Sequence, residues 1–446
     1  MRLLYNLSFI IFGIVYLPYL VVTKRYRHGL LERLGILPER IKSLSSKGKI
    51  IWIHAVSMGE MKAASILAPL LRKTFPRHTI LFSSVTYTGN KIARIIATGE
   101  EGVFYLPYDV SFIVNRVIET IKPELFLCLE TELWPNLISL LHGSGAKMVL
   151  VNGRISNKSY FGYRKIKFTV SGILQKFSLI LMQSEQDAAR ILSLGAPKEK
   201  VRVTGNLKFD LSLLGSMAGR KELRGKLGLQ DSDILLVAGS THRGEDELIL
   251  ESYSRLIKEY RNLRFLIAPR HVERTQEIEQ LLIKHGFKPA RFSSLQPLAH
   301  APYPNEVSGS GFSPCPVPER SEWFGVQPVF ILDTIGNLKT IYTAADIVFI
   351  GGSLVKKGGQ NPIEPASLGR AVVIGKFTFN FQDVVKSFLE DQACIQVGDK
   401  EELCSAIRLL IIDPQERKRL GLNAKAVVEN NSGSSQRTIE LIKSLF

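Results

Sequence analysis

Short apolar runs alternate with amphipathic stretches along most of this 446-residue chain. The runs are rich in Val, Ile, Leu and Phe, which is typical of strands buried on both faces of a parallel sheet. The stretches between them repeat apolar residues every three or four positions, which predicts helices that cover those faces. Twelve strands are predicted: Ile50–Val56, Thr79–Ser83, Leu125–Leu129, Lys147–Val151, Leu179–Gln183, Val201–Thr204, Ile234–Ala238, Arg264–Ala268, Val329–Leu332, Ile347–Ile350, Val372–Ile374 and Cys394–Val397.

This alternation predicts an α/β protein with two doubly wound, Rossmann-like domains, because the chain is too long for a single core. The domains are expected at residues 24–215 and 230–446, the second ending in two or three helices. Their boundary is expected within Leu211–Asp233, where glycines and charged residues replace the strand pattern. A second break, Ser293–Gln327, is rich in Pro, Ser and Gly and predicts an inserted surface loop.

The N-terminus predicts a membrane anchor at residues 1–23. Leu3–Thr23 carries no charge, and Lys24, Arg25 and Arg27 follow it directly. About 20 apolar residues span a bilayer core, and the basic flank predicts that the rest of the chain stays cytoplasmic. Pro18 and the aromatic residues also allow an interfacial helix, and a buried core helix remains an alternative. A cleaved signal peptide is disfavoured because no A-x-A-like site follows.

The two halves of the chain differ in net charge. Residues 1–210 hold 29 Lys/Arg and 14 Asp/Glu, whereas residues 211–446 hold 29 and 27. A basic half seeks an anionic partner, either a lipid surface or nucleic acid. No helix-turn-helix, RRM or zinc motif is evident and the charge adjoins an apolar segment, so an anionic membrane surface is expected and no nucleic acid. The four cysteines form no CxxC pair, which argues against a disulfide framework or a zinc site.

In the first half, three motifs follow predicted strands. Ser57 and Glu60 have capping-box spacing, but Glu60 could equally face a ligand as a general base. Glu130 follows the predicted strand Leu125–Leu129, with Glu132 two residues later, and a site role competes with a plain pair of N-cap and first-turn acids before Pro135. Lys208 could neutralise an anionic substrate group or simply be solvated.

The second half carries residues suited to a phosphate. Ser240 and Thr241 lie in a small-residue turn between a strand and a helix, where amides can face a phosphate, although Thr241 could be only an N-cap. Pro269 and Arg270 end the next strand, and Arg270 suits bidentate phosphate contact or a salt bridge.

Two later motifs complete this half. Ile335, Gly336 and Asn337 follow a strand. The run from Gly351 to Ala366 contains two glycine pairs and then Asn361, Pro362, Ile363 and Glu364. Glu364 can hold both hydroxyls of a ribose, or serve only as a first-turn helix acid.

Together these motifs resemble those of the 3-deoxy-D-manno-octulosonic acid (Kdo) transferases of lipopolysaccharide synthesis. The resemblance covers the chain from the anchor to its last third. The strings that carry it are HAVSMGE, ETELWPN, VNGRISNKS, TGNLKFD, GSTHRGE, APRHVER and GGSLVKKGGQNPIEPA.

The resemblance implies a GT-B glycosyltransferase that transfers Kdo with inversion from CMP-Kdo to a phosphorylated lipid A precursor, lipid IVA. It implies Glu60 as general base and Glu130 and Lys208 as transition-state stabilisers. It places CMP at Pro269, Arg270, Ile335, Gly336, Asn337, Asn361, Pro362, Ile363 and Glu364, with Ser240 and Thr241 as further donor contacts.

Two features depart from the family pattern: Asn337 stands where a Glu is usual, and the Ser293–Gln327 loop is longer. No obvious DxD-type metal motif is present, so neither a metal nor another cofactor is expected. A GT-B enzyme with a UDP-sugar donor and another lipid acceptor is the alternative. A transferase fold without catalysis is disfavoured by Glu60, Arg270 and Glu364.

Overall fold

The computed structural model describes residues 5–6, 28–213, 219–295 and 328–446. Residue contacts divide the chain into two compact units, one of Met1–Leu211 with Asn431–Phe446 and one of Ser212–Asn430. The predicted anchor at residues 1–23 lies outside the described residues except for Tyr5 and Asn6. Within the described ranges, no helix has both the length and the apolar character needed to cross a membrane.

The first unit is built on a seven-stranded parallel sheet in the order β3-β2-β1-β4-β5-β6-β7. Its strands are β1 (Lys49–His54), β2 (His78–Ser84), β3 (Gly102–Tyr105), β4 (Pro123–Leu129), β5 (Lys147–Gly153), β6 (Leu179–Met182) and β7 (Val201–Val203). The helices along this stretch are α1 (Leu30–Arg33), α2 (Glu39–Ser46), α3 (Met58–Thr74), α4 (Tyr87–Ile96), α5 (Ser111–Ile121), α6 (Pro135–Gly143), α7 (Asn157–Lys165), α8 (Lys167–Leu174), α9 (Glu185–Ser193) and α10 (Leu207–Leu213).

The second unit has a seven-stranded parallel sheet in the order β10-β11-β9-β8-β12-β13-β14. Its strands are β8 (Ile234–Thr241), β9 (Leu263–Pro269), β10 (Lys288–Arg291), β11 (Pro328–Ile331), β12 (Ile347–Ile350), β13 (Ala371–Gly375) and β14 (Cys394–Val397). Its helices are α11 (Arg220–Lys226), α12 (Asp246–Glu259), α13 (Thr275–Lys284), α14 (Leu338–Ala344), α15 (Ile363–Ser367), α16 (Gln382–Glu390), α17 (Lys400–Ile412) and α18 (Pro414–Asn430).

Each sheet is sandwiched between layers of buried side chains. In the first unit Trp52 and Phe126, on neighbouring strands, meet edge to face at 5.0 Å on one side of the sheet. Ile51, Ile53 and Leu127 point to the other side, which is also fully buried. Burial of both faces explains why these strands read as continuous apolar runs.

All twelve predicted strands are present, but the sequence analysis missed β3 and β10. Both are four residues long and lie at the edge of a sheet. β10 has the sequence KPAR and its side chains are exposed or half-buried. β3, with the sequence GVFY, is apolar and mostly buried, but its run is too short to stand out as a strand. β10 carries no apolar run, so periodicity gives no signal there.

The last helix, α19 (Ser434–Lys443), belongs to the first unit, whereas the sequence analysis assigned residues 230–446 to one domain. Ile439 and Ile442 are buried in the first unit's core beside α3. Asp210 accepts hydrogen bonds from the amides of Gly433 (2.7 Å) and Ser435 (2.6 Å). Helical periodicity predicts the apolar face of α19 but does not say which core covers it, so this assignment was wrong.

Candidate functional site

The acidic candidates of the first unit lie where its strand order reverses. β1 and β4 are neighbours, and the strands that follow each of them lie on opposite sides. Parallel sheets bind ligands beyond the carboxyl ends of strands at such a point. Glu60 lies in the first turn of α3, just after β1, and Glu130 directly follows β4. The predicted pair is therefore brought to one place.

Glu60 forms the capping box that the spacing predicted. Ser57 is the N-cap of α3, and its hydroxyl accepts from the Glu60 amide at 3.4 Å. The Glu60 carboxylate accepts from the Val56 amide (2.7 Å) and from the Ser57 hydroxyl (2.8 Å). These bonds fix the direction of the carboxylate, so the cap and a catalytic role are compatible.

The surroundings of Glu60 favour a proton acceptor. The residue is only 8% exposed. Burial, and then the charge of Glu130, raise the pKa of the Glu60 carboxyl, against the hydrogen bonds that lower it. A higher pKa makes the carboxylate a stronger base towards a hydroxyl proton.

Glu132 joins Glu60 and Glu130, and the three are called the carboxylate cluster below. Burial, followed by the charges of Glu60 and Glu130, raises the pKa of Glu132 to about 7. Glu130 adopts a left-handed backbone conformation (φ 56°), which is costly for a residue with a Cβ atom. The sequence analysis noted Glu132 beside Glu130 but gave it no role; its burial was not visible in the pattern.

Lys208 lies in the first turn of α10, beyond β7. Asn152, another left-handed residue (φ 57°), ties this turn to the end of β5 by accepting from the Leu207 amide at 3.0 Å. The Asn206 side chain accepts from the Lys208 amide at 3.0 Å. Asn152 was missed as a positioning residue, although the string that contains it carried part of the resemblance.

In the second unit the strand order reverses between β8 and β12, and the glycine loop, residues 351–359, follows β12. Ser240 ends β8 in a left-handed conformation (φ 58°). A Cβ atom on Gly351 would lie 2.4 Å from the Ser240 carbonyl oxygen, so this close approach requires glycine. Thr241 is fully buried at the end of β8 and is not a helix cap, because α12 begins at Asp246.

Glu245 holds the glycine loop against β8. Its carboxylate accepts from the amides of Gly352 (2.5 Å) and His242 (2.7 Å). Glu245 is completely buried, and burial raises the pKa of its carboxyl to about 7. The sequence analysis gave Glu245 no role and did not predict this contact.

The two arginines after β9 take different roles. Arg274 donates to the Thr241 carbonyl (3.3 Å) and to the Asp246 carboxylate (2.5 Å), so it is the structural ion pair. Arg270 is exposed, and no carboxylate pairs with it among the residues that the structure describes. Pro269, just before it, is buried at the end of β9. Arg270 is therefore the guanidinium that is available to an anionic ligand.

The remaining nucleotide candidates flank the short helices α14 and α15. Ile335 is 86% exposed, and Gly336 has the left-handed φ of 92°. The Asn337 side chain donates to the Thr334 hydroxyl at 2.9 Å. An exposed isoleucine beside a left-handed glycine forms a surface that a flat base can cover.

Asn361 and Glu364 act together. Asn361 donates to the Glu364 carboxylate at 3.3 Å and accepts from the amide of Ile363, the first residue of α15, at 3.1 Å. Glu364 is half-buried, whereas Pro362 and Ile363 are buried, so their side chains belong to the core. Burial lowers the pKa of the neighbouring Lys339, and the negative charge of Glu364 acts in the opposite direction.

Within the described ranges, no group of three or more His, Cys, Asp or Glu side chains is arranged to hold a metal ion.

Comparison with known proteins identifies families for both halves. Residues 28–211 match the family described as 3-deoxy-D-manno-octulosonic-acid transferase (kdotransferase). Residues 327–427 match the family described as glycosyl transferases group 1.

Similar proteins cover most of the chain. A 3-deoxy-D-manno-octulosonic acid transferase of Haemophilus influenzae is 36% identical over 426 residues, which is 95% of this chain and 92% of that protein. The transferase of the same name from Bordetella pertussis is 29% identical over 88% of this chain and 86% of its own. A glycosyltransferase structure from Rickettsia africae, 14% identical, superposes with a TM-score of 0.55 over 89% of this chain and 98% of that chain. These similarities confirm the predicted GT-B fold class.

Proposed function

Because the chain belongs to the Kdo transferase family, we propose that it transfers Kdo from CMP-Kdo onto a phosphorylated lipid A precursor, lipid IVA, with Glu60 as the general base. It is a glycosyltransferase of lipopolysaccharide biosynthesis. The observation that carries the mechanistic part is the Glu60 carboxyl, which is buried, oriented by its cap and raised in pKa beside Glu130.

The reaction is a single displacement at the anomeric carbon of Kdo. The acceptor hydroxyl oxygen attacks that carbon and forms the new glycosidic bond, while the bond to the CMP phosphate oxygen breaks and CMP takes the electron pair. Glu60 receives the hydroxyl proton. Attack from the side opposite to CMP inverts the anomeric configuration.

Glu60 is suited to this step because burial and a neighbouring negative charge favour the protonated product of the transfer. The capping bonds hold the carboxylate at one orientation, so little reorganisation accompanies the proton transfer. Glu130 is proposed to keep the pKa of Glu60 high and to stabilise positive charge that develops at the anomeric carbon.

The CMP part of the donor is assigned to the second unit. Arg270 contacts the phosphate, the exposed Ile335 with Gly336 and Asn337 receives the base, and Glu364 with Asn361 holds the ribose hydroxyls. Ser240 and the amides of the glycine loop are further donor contacts. Lys208, at the start of α10, is assigned to negative charge near the sugar. These basic groups offset the charge on departing CMP without a metal.

The protein is proposed to work at the cytoplasmic face of the inner membrane, with residues 1–23 as its anchor. The apolar, uncharged segment with a basic flank and the charge of the first 210 residues support this placement.

A transfer assay tests the function. The protein is incubated with lipid IVA and either CMP-Kdo or a panel of UDP-sugars, and the products are weighed by mass spectrometry. The proposal expects the lipid to gain the mass of Kdo only with CMP-Kdo. Folded protein that transfers nothing from CMP-Kdo, or that uses a UDP-sugar instead, would overturn it.

A further inference from the structure

The turn between α7 and α8 exposes large apolar side chains. Phe161, Ile166 and Phe168 are 59%, 55% and 84% exposed. Residues 157–168, called the α7–α8 corner below, are exposed almost throughout. Large apolar groups gathered on one convex surface mark an interaction site more often than scattered ones do.

The same corner is basic. Lys158, Arg164, Lys165 and Lys167 are all exposed. Residues 133–184 contain seven Lys or Arg and no Asp or Glu. Across the described part of the chain, no carboxylate pairs with Lys158, Lys165 or Lys167, so their charges face outward together.

The α7–α8 corner is anchored to the core of the first unit by its buried side chains. Val170 and Leu174 of α8 are buried in the first unit's core, and Tyr160 and Tyr163 of α7 pack against it. The Ser193 hydroxyl donates to the Tyr160 hydroxyl at 3.0 Å. The exposed phenylalanines are therefore held outward by a supported backbone.

The corner also adjoins the carboxylate cluster. Burial, and then the charge of Glu132, raise the pKa of Tyr163, which lies on the side of α7 that packs against the core. In the first turn of α6, which follows Glu132, the Asn136 side chain donates to the Asn6 side-chain oxygen at 2.8 Å, so Asn6 lies beside that turn.

We propose that the α7–α8 corner docks on an anionic lipid bilayer, with Phe161, Ile166 and Phe168 among the acyl chains and the lysines at the headgroups. Aromatic and aliphatic side chains flanked by Lys and Arg are the composition of interfacial membrane-binding helices. This contact is additional to residues 1–23 and places the carboxylate cluster near the bilayer. It rests on the proposed function only in that the acceptor is a membrane lipid.

A local probe tests the contact in the full-length protein. The variant Phe168→Cys, made with Cys315→Ser, is labelled with the fluorophore NBD, since the other three cysteines are buried. The matched control is Ile412→Cys, which labels a 60% exposed position in the second unit. Each is mixed with excess vesicles of phosphatidylcholine containing phosphatidylglycerol, with or without lipids that carry a quencher in the acyl chains.

We expect a blue shift and quenching at position 168 and neither at position 412. Adding Lys165→Gln and Lys167→Gln should reduce the quenching by about half or more, because each lysine near an anionic surface favours binding several-fold. Vesicles of pure phosphatidylcholine should give a weaker response.

An unchanged spectrum at position 168 with anionic vesicles would overturn the inference. A response to an RNA oligonucleotide with none to vesicles would also overturn it and would identify the corner as a nucleic-acid surface. The probe reports bilayer contact without turnover, so its failure is distinct from failure of the transfer assay.

Discussion

Glu60 shows how one residue serves structure and chemistry at once. Its spacing to Ser57 predicted a capping box, and the structure contains one. The same contacts leave Glu60 able to act as a general base. The sequence could not predict the burial of Glu132 and its proximity to Glu60, because they depend on how the loop after β4 folds back over the sheet. Three neighbouring carboxyls repel one another, and groups with pKa values perturbed in this way concentrate at functional sites.

The substitution Glu132→Gln should stabilise the protein in a pH-dependent way. The pKa of this carboxyl rises from 4.5 to about 7 on folding, so the folded protein holds the proton more tightly. The wild-type carboxyl therefore adds stability below pH 4.5, and this contribution is lost as pH rises through 7. Glutamine stays neutral, so the variant should gain about 2 kcal/mol at pH 8, allowing for partial exposure, and nothing at pH 4.5.

Urea denaturation at the two pH values measures this difference. Glu119→Gln, at an exposed position, is the control and should be neutral at both. An equal effect of Glu132→Gln at both pH values would contradict the assigned coupling.

At the scale of elements, the hydrophobic periodicity of the sequence predicted most strands and helices. The buried strands were correct because burial on both faces leaves an apolar run, whereas β10 lacks one and the apolar run of β3 is only four residues long. The C-terminal helix was assigned to the wrong unit, because its partner is Asp210, far away in sequence. Positions after strand ends predicted candidate residues, but the roles of Asn152 and Glu245 required coordinates.

The contact between Asp210 and α19 gives a test of this correction. Asp210→Ala removes the acceptor for the amides of Gly433 and Ser435 and should cost about 2 kcal/mol. Hydrogen exchange should show faster exchange across α19, while α18 is unchanged. Asp231→Ala, at an exposed position, should alter neither property. Unchanged protection of α19 in Asp210→Ala would show that this clamp is unimportant.

Glu245 should act on donor binding through the glycine loop. Glu245→Ala removes the acceptor for Gly352 and leaves a buried cavity, so the KM for CMP-Kdo should rise about tenfold. The exposed neighbour Glu247→Ala should leave it unchanged. Thermal melting identifies any loss of folding, and a folded Glu245→Ala protein with the wild-type KM would contradict the assignment.

At the scale of the molecule, two units of one architecture carry different surfaces. The first 210 residues have an excess of 15 positive charges, which suits a phosphorylated lipid, and the rest are nearly balanced. The first unit contributes clustered carboxyls and the second an available arginine and a paired Asn361 and Glu364. This division matches a transferase in which acceptor and donor are handled by separate units.

Transfer should not require a divalent metal. Arg270 and Lys208 are assigned to the negative charge of the donor, and basic side chains can offset the charge of a leaving phosphate. The initial rate should therefore be the same with and without excess EDTA. A rate that falls in EDTA and returns when magnesium is added would contradict this part of the mechanism.

The most direct test of the central claim compares three proteins in single-turnover transfer from CMP-Kdo to lipid IVA. Glu60→Gln keeps the size of the side chain but cannot accept the proton, so the rate should fall by about a hundredfold or more while CMP binding stays normal. Ser57→Ala loses the N-cap and about 1 kcal/mol of stability but keeps the carboxylate, so it should retain most of the rate. If Glu60→Gln transfers Kdo as fast as the wild type, Glu60 is only a helix cap and the proposed base is wrong.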